Sequence, residues 1–95
     1  MIGPHPPVHP GEILREEFMA PLKLSGYALA VACHVPRTRI ERLAREETPV
    51  TADTALRLGR YFNTGPEFWM NLQSAFDLAS ADPAVVKAIR PRKAA

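Results

Sequence analysis

The sequence holds a single cysteine, Cys33, so no intrachain disulfide can form and nothing marks an oxidising compartment. No apolar run approaches the ~20 residues that a membrane helix needs. The first residues show no charged stretch leading into an apolar core, so no secretory signal is expected, and the expected location is the cytoplasm. Glycine is sparse, and no glycine-rich loop is present to cradle a phosphate. The three histidines, His5, His9 and His34, do not stand at metal-ligand offsets from one another, from the cysteine or from a carboxylate. Neither a metal nor a cofactor is expected. Cys33 has apolar neighbours and no base fixed beside it, so it reads as a small buried hydrophobe. The Glu16-Glu17 pair reads as solvated acid on a helix face. No enzymatic activity is expected. Alternating strand patterns and internal repeats are also missing, which leaves an all-α chain.

What is present is apolar enough to fold: 46% of the 95 residues are hydrophobic. A chain of this length is one domain. It buries only about 60–65% of its unfolded surface, so a dimer interface would add needed stability. The net charge of +2 is small, but its distribution is uneven. Glu12, Glu16 and Glu17 make the first helix acidic. Arg37, Arg39, Arg42 and Arg45 crowd into nine residues, Arg57 and Arg60 follow, and Arg90, Arg92 and Lys93 lie near the end. Nine of the twelve cations are arginine, the side chain suited to bidentate contacts with phosphate and guanine.

Prolines punctuate the chain. Pro4, Pro6, Pro7 and Pro10 make residues 1–9 an extended, flexible arm and place Pro10 at the first position of a helix. Helix 1 is predicted over about residues 11–19, with Ile13, Leu14 and Phe18 inward and Pro21 as its stop. Ser25 caps a short helix 2 over 26–33, with Leu29 and Ala32 toward the core. His34-Val35 makes a tight turn, and Pro36 opens helix 3, which runs to about residue 44 with Ile40, Leu43 and Ala44 as its apolar stripe. Thr51 caps helix 4 over 52–62, with Ala55, Leu56, Leu58 and Phe62 inward and Asn63 as C-cap. Thr64 and Glu67 have capping-box spacing ahead of a long helix 5 over 66–80. Asp82-Pro83 starts a short last helix to about residue 89, and 90–95 form a basic tail. The expected organisation is an arm (1–9), a helix-turn-helix domain (10–89) with the hairpin at 25–45, and dimerisation helices at 66–89.

Two short helices joined by a tight turn can lay the second into a DNA major groove about 12 Å wide. Helix 3 then needs one apolar side and one side bearing donors. Arg37 and Arg42 are expected at guanine edges, and Thr38 at a thymine methyl or base acceptor, because base readers sit near the start of a recognition helix and one turn on. Arg39 and Arg45, on the flanks, suit phosphates. So do the Ser25 hydroxyl and the Gly26 and Tyr27 amides at the positive end of helix 2. Glu41 can pair with Arg37 or Arg45, each four residues away. Phe68, Trp69, Leu72 and Phe76 form an apolar band on helix 5, wide enough to serve both the core and a two-fold dimer face.

HPGEILREEF (9–18), VPRTRI (35–40), Val50-Thr51 with DTALRL (53–58), and PEFWMNLQ (66–73) together resemble HigA-type antitoxins, also called virulence-associated protein I, within the Xre/Cro-like helix-turn-helix group. The resemblance covers residues 9 to about 79. It implies a lambda-repressor-like five-helix fold with a short C-terminal helix. It also implies a homodimer on palindromic operator DNA that represses its own operon. Its partner would be a HigB-type toxin, a ribosome-dependent messenger-RNA nuclease of the RelE-like group. The acidic helix 1 is the expected toxin-facing surface, since RNA-cleaving toxins tend to be basic. The chain departs from the family pattern twice. His34 replaces a glycine before the Val-Pro, and Arg45-Glu46-Glu47-Thr48 replaces a basic loop. Two acids beside a phosphate backbone repel it, so this loop is expected to contribute less. A stand-alone repressor without a toxin, and a protein-binding module that no longer touches DNA, remain alternatives.

Overall fold

The computed structural model describes residues 6–93, and all regular structure among them is helical. Pro10–Ile13, a π-helical stretch Leu14–Met19 and Ala20–Leu22 follow one another without a break and are together α1. Then come α2 (Gly26–Cys33), α3 (Arg37–Ala44), α4 (Ala52–Tyr61), α5 (Pro66–Ser80) and a 3₁₀ turn (Pro83–Val86). The five-helix architecture matches the expected one.

α1 begins where Pro10 predicts, but its cap is His9. That residue is buried, and its Nδ1 accepts the Gly11 N–H at 2.8 Å while the ring meets Phe76 edge-on. His9 therefore belongs to the domain and not to the arm. The rest of the arm call on residues 1–5 lies outside the described residues. Pro21 does not stop the helix. A proline ring clashes with the carbonyl four residues back in an α-helix; here the preceding turn is widened, with Ala20 N–H on Arg15 O, and the chain runs on to Leu22. Pro36, with extended backbone, stands just outside α3 as its cap rather than opening it.

Ser25 and Thr51 cap α2 and α4 as predicted, accepting from Ala28 N and Thr54 N. The predicted capping box at Thr64 does not form: Gly65, at φ 81°, takes the cap position without a side-chain bond. Thr64 Oγ1 instead accepts the Trp69 indole N–H at 3.0 Å. The last helix is shorter than expected, one 3₁₀ turn capped by Asp82.

The core gathers Leu14, Leu29, Ala30, Cys33, Ile40, Leu43, Val50, Ala55, Leu58 and Trp69, with Phe18, Phe62 and Leu72 packed against it. Two inward assignments are corrected. Ala30 and Cys33, not Ala32, face the core from α2, and Leu56 is 59% exposed. Trp69 is wholly buried inside its own chain. It lies against Phe18, Phe62 and Phe68, so it has no surface left for a dimer face. Backbones approach closely at two glycines. A Cβ on Gly11 would lie 1.8 Å from Leu43 O, and one on Gly59 would lie 2.4 Å from the Gly65 carbonyl carbon. The first seats α1 on the end of α3; the second seats α4 on the start of α5.

Candidate nucleic-acid interface

α2 and α3 pack together through Leu29, Ala30, Cys33, Ile40 and Leu43, and the turn between them is made by His34 at φ 59°. This left-handed conformation costs an L-residue more than glycine. It is set here by the Val35 N–H reaching back to Ala30 O at 3.0 Å and by a clamp from outside the hairpin. Arg57 on α4 donates Nη1 to Cys33 O (2.9 Å) and His34 O (3.0 Å). It thus satisfies carbonyls that the end of α2 leaves without a helical partner.

With Ile40 and Leu43 buried, 100° per residue puts Thr38, Arg42 and Arg45 on the outermost stripe of α3, and all three are exposed. Arg37 and Arg39 lie to either side of it. Of the residues expected at base edges, Thr38 and Arg42 therefore share the outer stripe, and Arg37 flanks it. Thr38, Arg39 and Arg42 also line one open depression of about 450 Å³ with Thr48, Thr51 and Asp53. Ser25 and Tyr27 are exposed at the start of α2, while Gly26 is half-buried. A Cβ on Gly26 would come 3.1 Å from Glu41 Cγ, so the two helices touch closely there.

Carboxylates attend most of these arginines. Glu41 takes Arg37 at 3.1 Å, the choice left open by spacing alone. Glu47 takes Arg45 at 3.1 Å. Asp53 receives both Arg39 and Arg57. The hydrogen bonds from Arg57 first and Arg39 second hold its carboxyl below the usual carboxylate range. Among the described residues, Arg42 is the α3 arginine with no carboxylate within 4 Å.

The acidic loop is less repulsive than its composition suggests. Glu46 is held by Arg15 of α1 at 3.2 Å, and the same Arg15 nitrogen donates to Ala44 O at the end of α3. Bonds to Glu16 and Glu46 push the Arg15 pKa up. Burial pushes the Cys33 thiol up as well, with Arg57 opposing in part, in keeping with a packing role.

Sequence reasoning missed Arg15, Asp53 and Arg57, which hold the hairpin from outside, and Gln73. The buried Gln73 accepts the Val50 N–H at 2.7 Å and donates to Asp77 at 2.9 Å, tying the loop after α3 to α5. The i, i+4 spacings of Asp53 with Arg57 and of Gln73 with Asp77 were the local signals available; the contacts that reach the hairpin and the loop after it join residues 14 to 31 apart.

No family model matches the chain. Virulence-associated protein I of Dichelobacter nodosus is 53% identical over 77 residues, which is 81% of this chain and 71% of that protein. The structure of Pseudomonas aeruginosa antitoxin HigA with the higBA promoter superposes with a TM-score of 0.84 at 46% identity, over 90% of this chain and 97% of that one. The antitoxin GraA in complex with its operator superposes with a TM-score of 0.88 at 41% identity, over 99% of each chain.

Proposed function

Because the chain belongs to the HigA-type antitoxin family of Xre-like helix-turn-helix regulators, we propose that it is an antitoxin that binds its own operator as a dimer, represses that operon and neutralises a RelE-like, messenger-RNA-cleaving toxin. The observation that carries this reading is the outer stripe of α3, an exposed row of Thr38, Arg42 and Arg45 opposite the buried Ile40 and Leu43. Arg42 enters the groove as the base reader, with Thr38 one turn before it and Arg37 beside it. Arg45, Arg39 and the Ser25–Tyr27 end of α2 bind phosphates. Relatives solved with a promoter and with an operator support groove entry by this helix. Such a protein works in the cytoplasm; no helix among the described residues is long and apolar enough to cross a membrane.

The dimer forms through the apolar surface that the chain leaves open beyond Trp69. Phe76 is engaged by His9 and Leu72 by the core. Leu78, Val85, Val86 and Ile89 lie 57–76% exposed. The two-fold axis sets the two α3 helices about 34 Å apart, one DNA turn. The toxin docks on α1, where Glu12, Glu16 and Glu17 are exposed.

A mobility shift with the DNA upstream of the gene, repeated over a salt series, tests the DNA reading. A shift that weakens steeply with salt and survives non-specific competitor supports it; its absence favours a protein-binding module. Co-purification with the neighbouring gene product tests the antitoxin reading. A repressor that binds its operator and rescues no toxin is the stand-alone regulator.

A further inference from the structure

Three of the four arginines between positions 37 and 45 meet a carboxylate of their own chain: Arg37 with Glu41, Arg39 with Asp53 and Arg45 with Glu47. The fourth, Arg42, is free of one among the described residues and lies on the outermost stripe. The pattern does not follow from helix periodicity alone. Glu41 is an i+4 neighbour, but Asp53 comes from α4 and Glu47 from the loop after α3. All three pairs are partly solvent-exposed, so each can exchange its carboxylate for a phosphate without unburying anything.

We propose that Glu47 and Asp53, with Glu41 beside them, compete with DNA from within the chain: they occupy Arg45, Arg39 and Arg37 in the free protein, lower its affinity for any duplex, and leave Arg42 as the uncommitted cation that answers to sequence. This inference rests on the DNA-binding reading above. On arbitrary duplex each arginine must give up a carboxylate to gain a phosphate, an exchange of one ion pair for another. An operator adds base contacts from Thr38 and Arg42 on top of the same exchange. Non-specific binding is almost wholly counterion release from phosphates, so there the exchange is nearly the whole of the binding energy.

Glu47→Gln is the cleanest variant, since Glu47 pairs with Arg45 alone among the described residues. Glu17→Gln is the control: it removes the same charge from an exposed α1 position that pairs with no described cation. Fluorescence anisotropy with the wild-type operator and a scrambled duplex of equal length reads both. Glu47→Gln is expected to tighten the scrambled duplex and the operator alike, by about threefold, and to steepen the scrambled-DNA log–log salt slope by up to about 0.9, one phosphate. Glu17→Gln should change both duplexes equally and only slightly. No tightening of either duplex by Glu47→Gln, or the same effect from Glu17→Gln, overturns the proposal, as does an unchanged slope. Circular dichroism confirms that each variant is folded, and adding Asp53→Asn releases Arg39 as well, together with Arg57. If wild-type protein prefers neither duplex, it is the DNA-binding reading that fails.

Discussion

Arg57, Asp53 and Gln73 hold the recognition hairpin in place without belonging to it. Removing Arg57 strips the end of α2 of two hydrogen bonds and leaves Asp53 with Arg39 only. Arg57→Ala is expected to cost about 1–3 kcal/mol in a denaturant titration, and to weaken operator binding further because the turn loosens. Gln73→Leu should cost a similar amount, about 1–3 kcal/mol, since it leaves the buried Val50 N–H without an acceptor. Asp53 gives a pH signature. Its folded pKa is depressed, so its contribution is complete above the ordinary carboxylate value and is lost as pH falls through the lower, folded one. The gap in thermal midpoint between wild type and Asp53→Asn should therefore be open at neutral pH and close below about pH 4. At this scale the sequence was legible where partners are near. Ser25, Thr51 and Asp82 declare themselves as caps, and Glu41 as a partner for Arg37 or Arg45, between which the fold chooses Arg37. Arg15, Arg57 and Gln73 reach across the chain, and no spacing rule announces them. Base-edge roles also belong here. Arg42→Ala should relax preference at one base pair at a cost of about 1–3 kcal/mol, while Arg45→Ala weakens all sequences alike; competition binding against single-base operator variants separates the two.

At the scale of elements, α1 to α4 all end on a left-handed residue that is not glycine: Lys23, His34, Glu46 and Asn63. In each case an N–H just beyond closes back to a carbonyl five residues earlier, as in Leu24 to Met19, Val35 to Ala30, Glu47 to Arg42 and Thr64 to Gly59. This is the Schellman closure that glycine makes at no steric cost. Lys23→Gly and His34→Gly should each stabilise the protein by up to about 1 kcal/mol, read from the denaturation midpoint. Gly59→Ala should do the opposite, because its Cβ meets backbone that cannot move aside; a loss of about 3 kcal/mol is expected. Helix positions were largely legible, since prolines and caps bound them. The end of α1 was not. Pro21 is an honest stop signal by its chemistry, and only the widened turn ahead of it, invisible to periodicity, lets the helix pass. Thr64 likewise had capping-box spacing, but Trp69 claims its oxygen.

At the scale of the whole molecule, the apolar faces sort into those the chain covers and those it leaves open. The aromatic band on α5 read from sequence as both core and dimer surface, and periodicity could not divide it. The fold does, by bringing His9 onto Phe76 and Phe18 onto Trp69. Leu78 with Ile89, exposed at 76% and 66%, is then the surface whose substitution should count. The double variant Leu78→Glu with Ile89→Glu is expected to convert a dimer to a monomer in light scattering and to lower operator affinity by about a hundredfold or more, since half-site spacing is then no longer imposed.

The widened turn of α1 gives the segment a fixed length. Leu14–Met19 spends one residue more than a regular helix of the same path would need. Wound as a regular α-helix with none of those residues removed, the segment would turn everything ahead of it by about 100° against everything behind it. Arg15 keeps its appointment with Ala44 and Glu46 on one side of the molecule, and Phe18 keeps its own with Phe62 and Trp69 on another. A regular helix of the same length can meet one of these and must miss the other. The extra residue sets the phase between the grip on the recognition helix and the grip on the core.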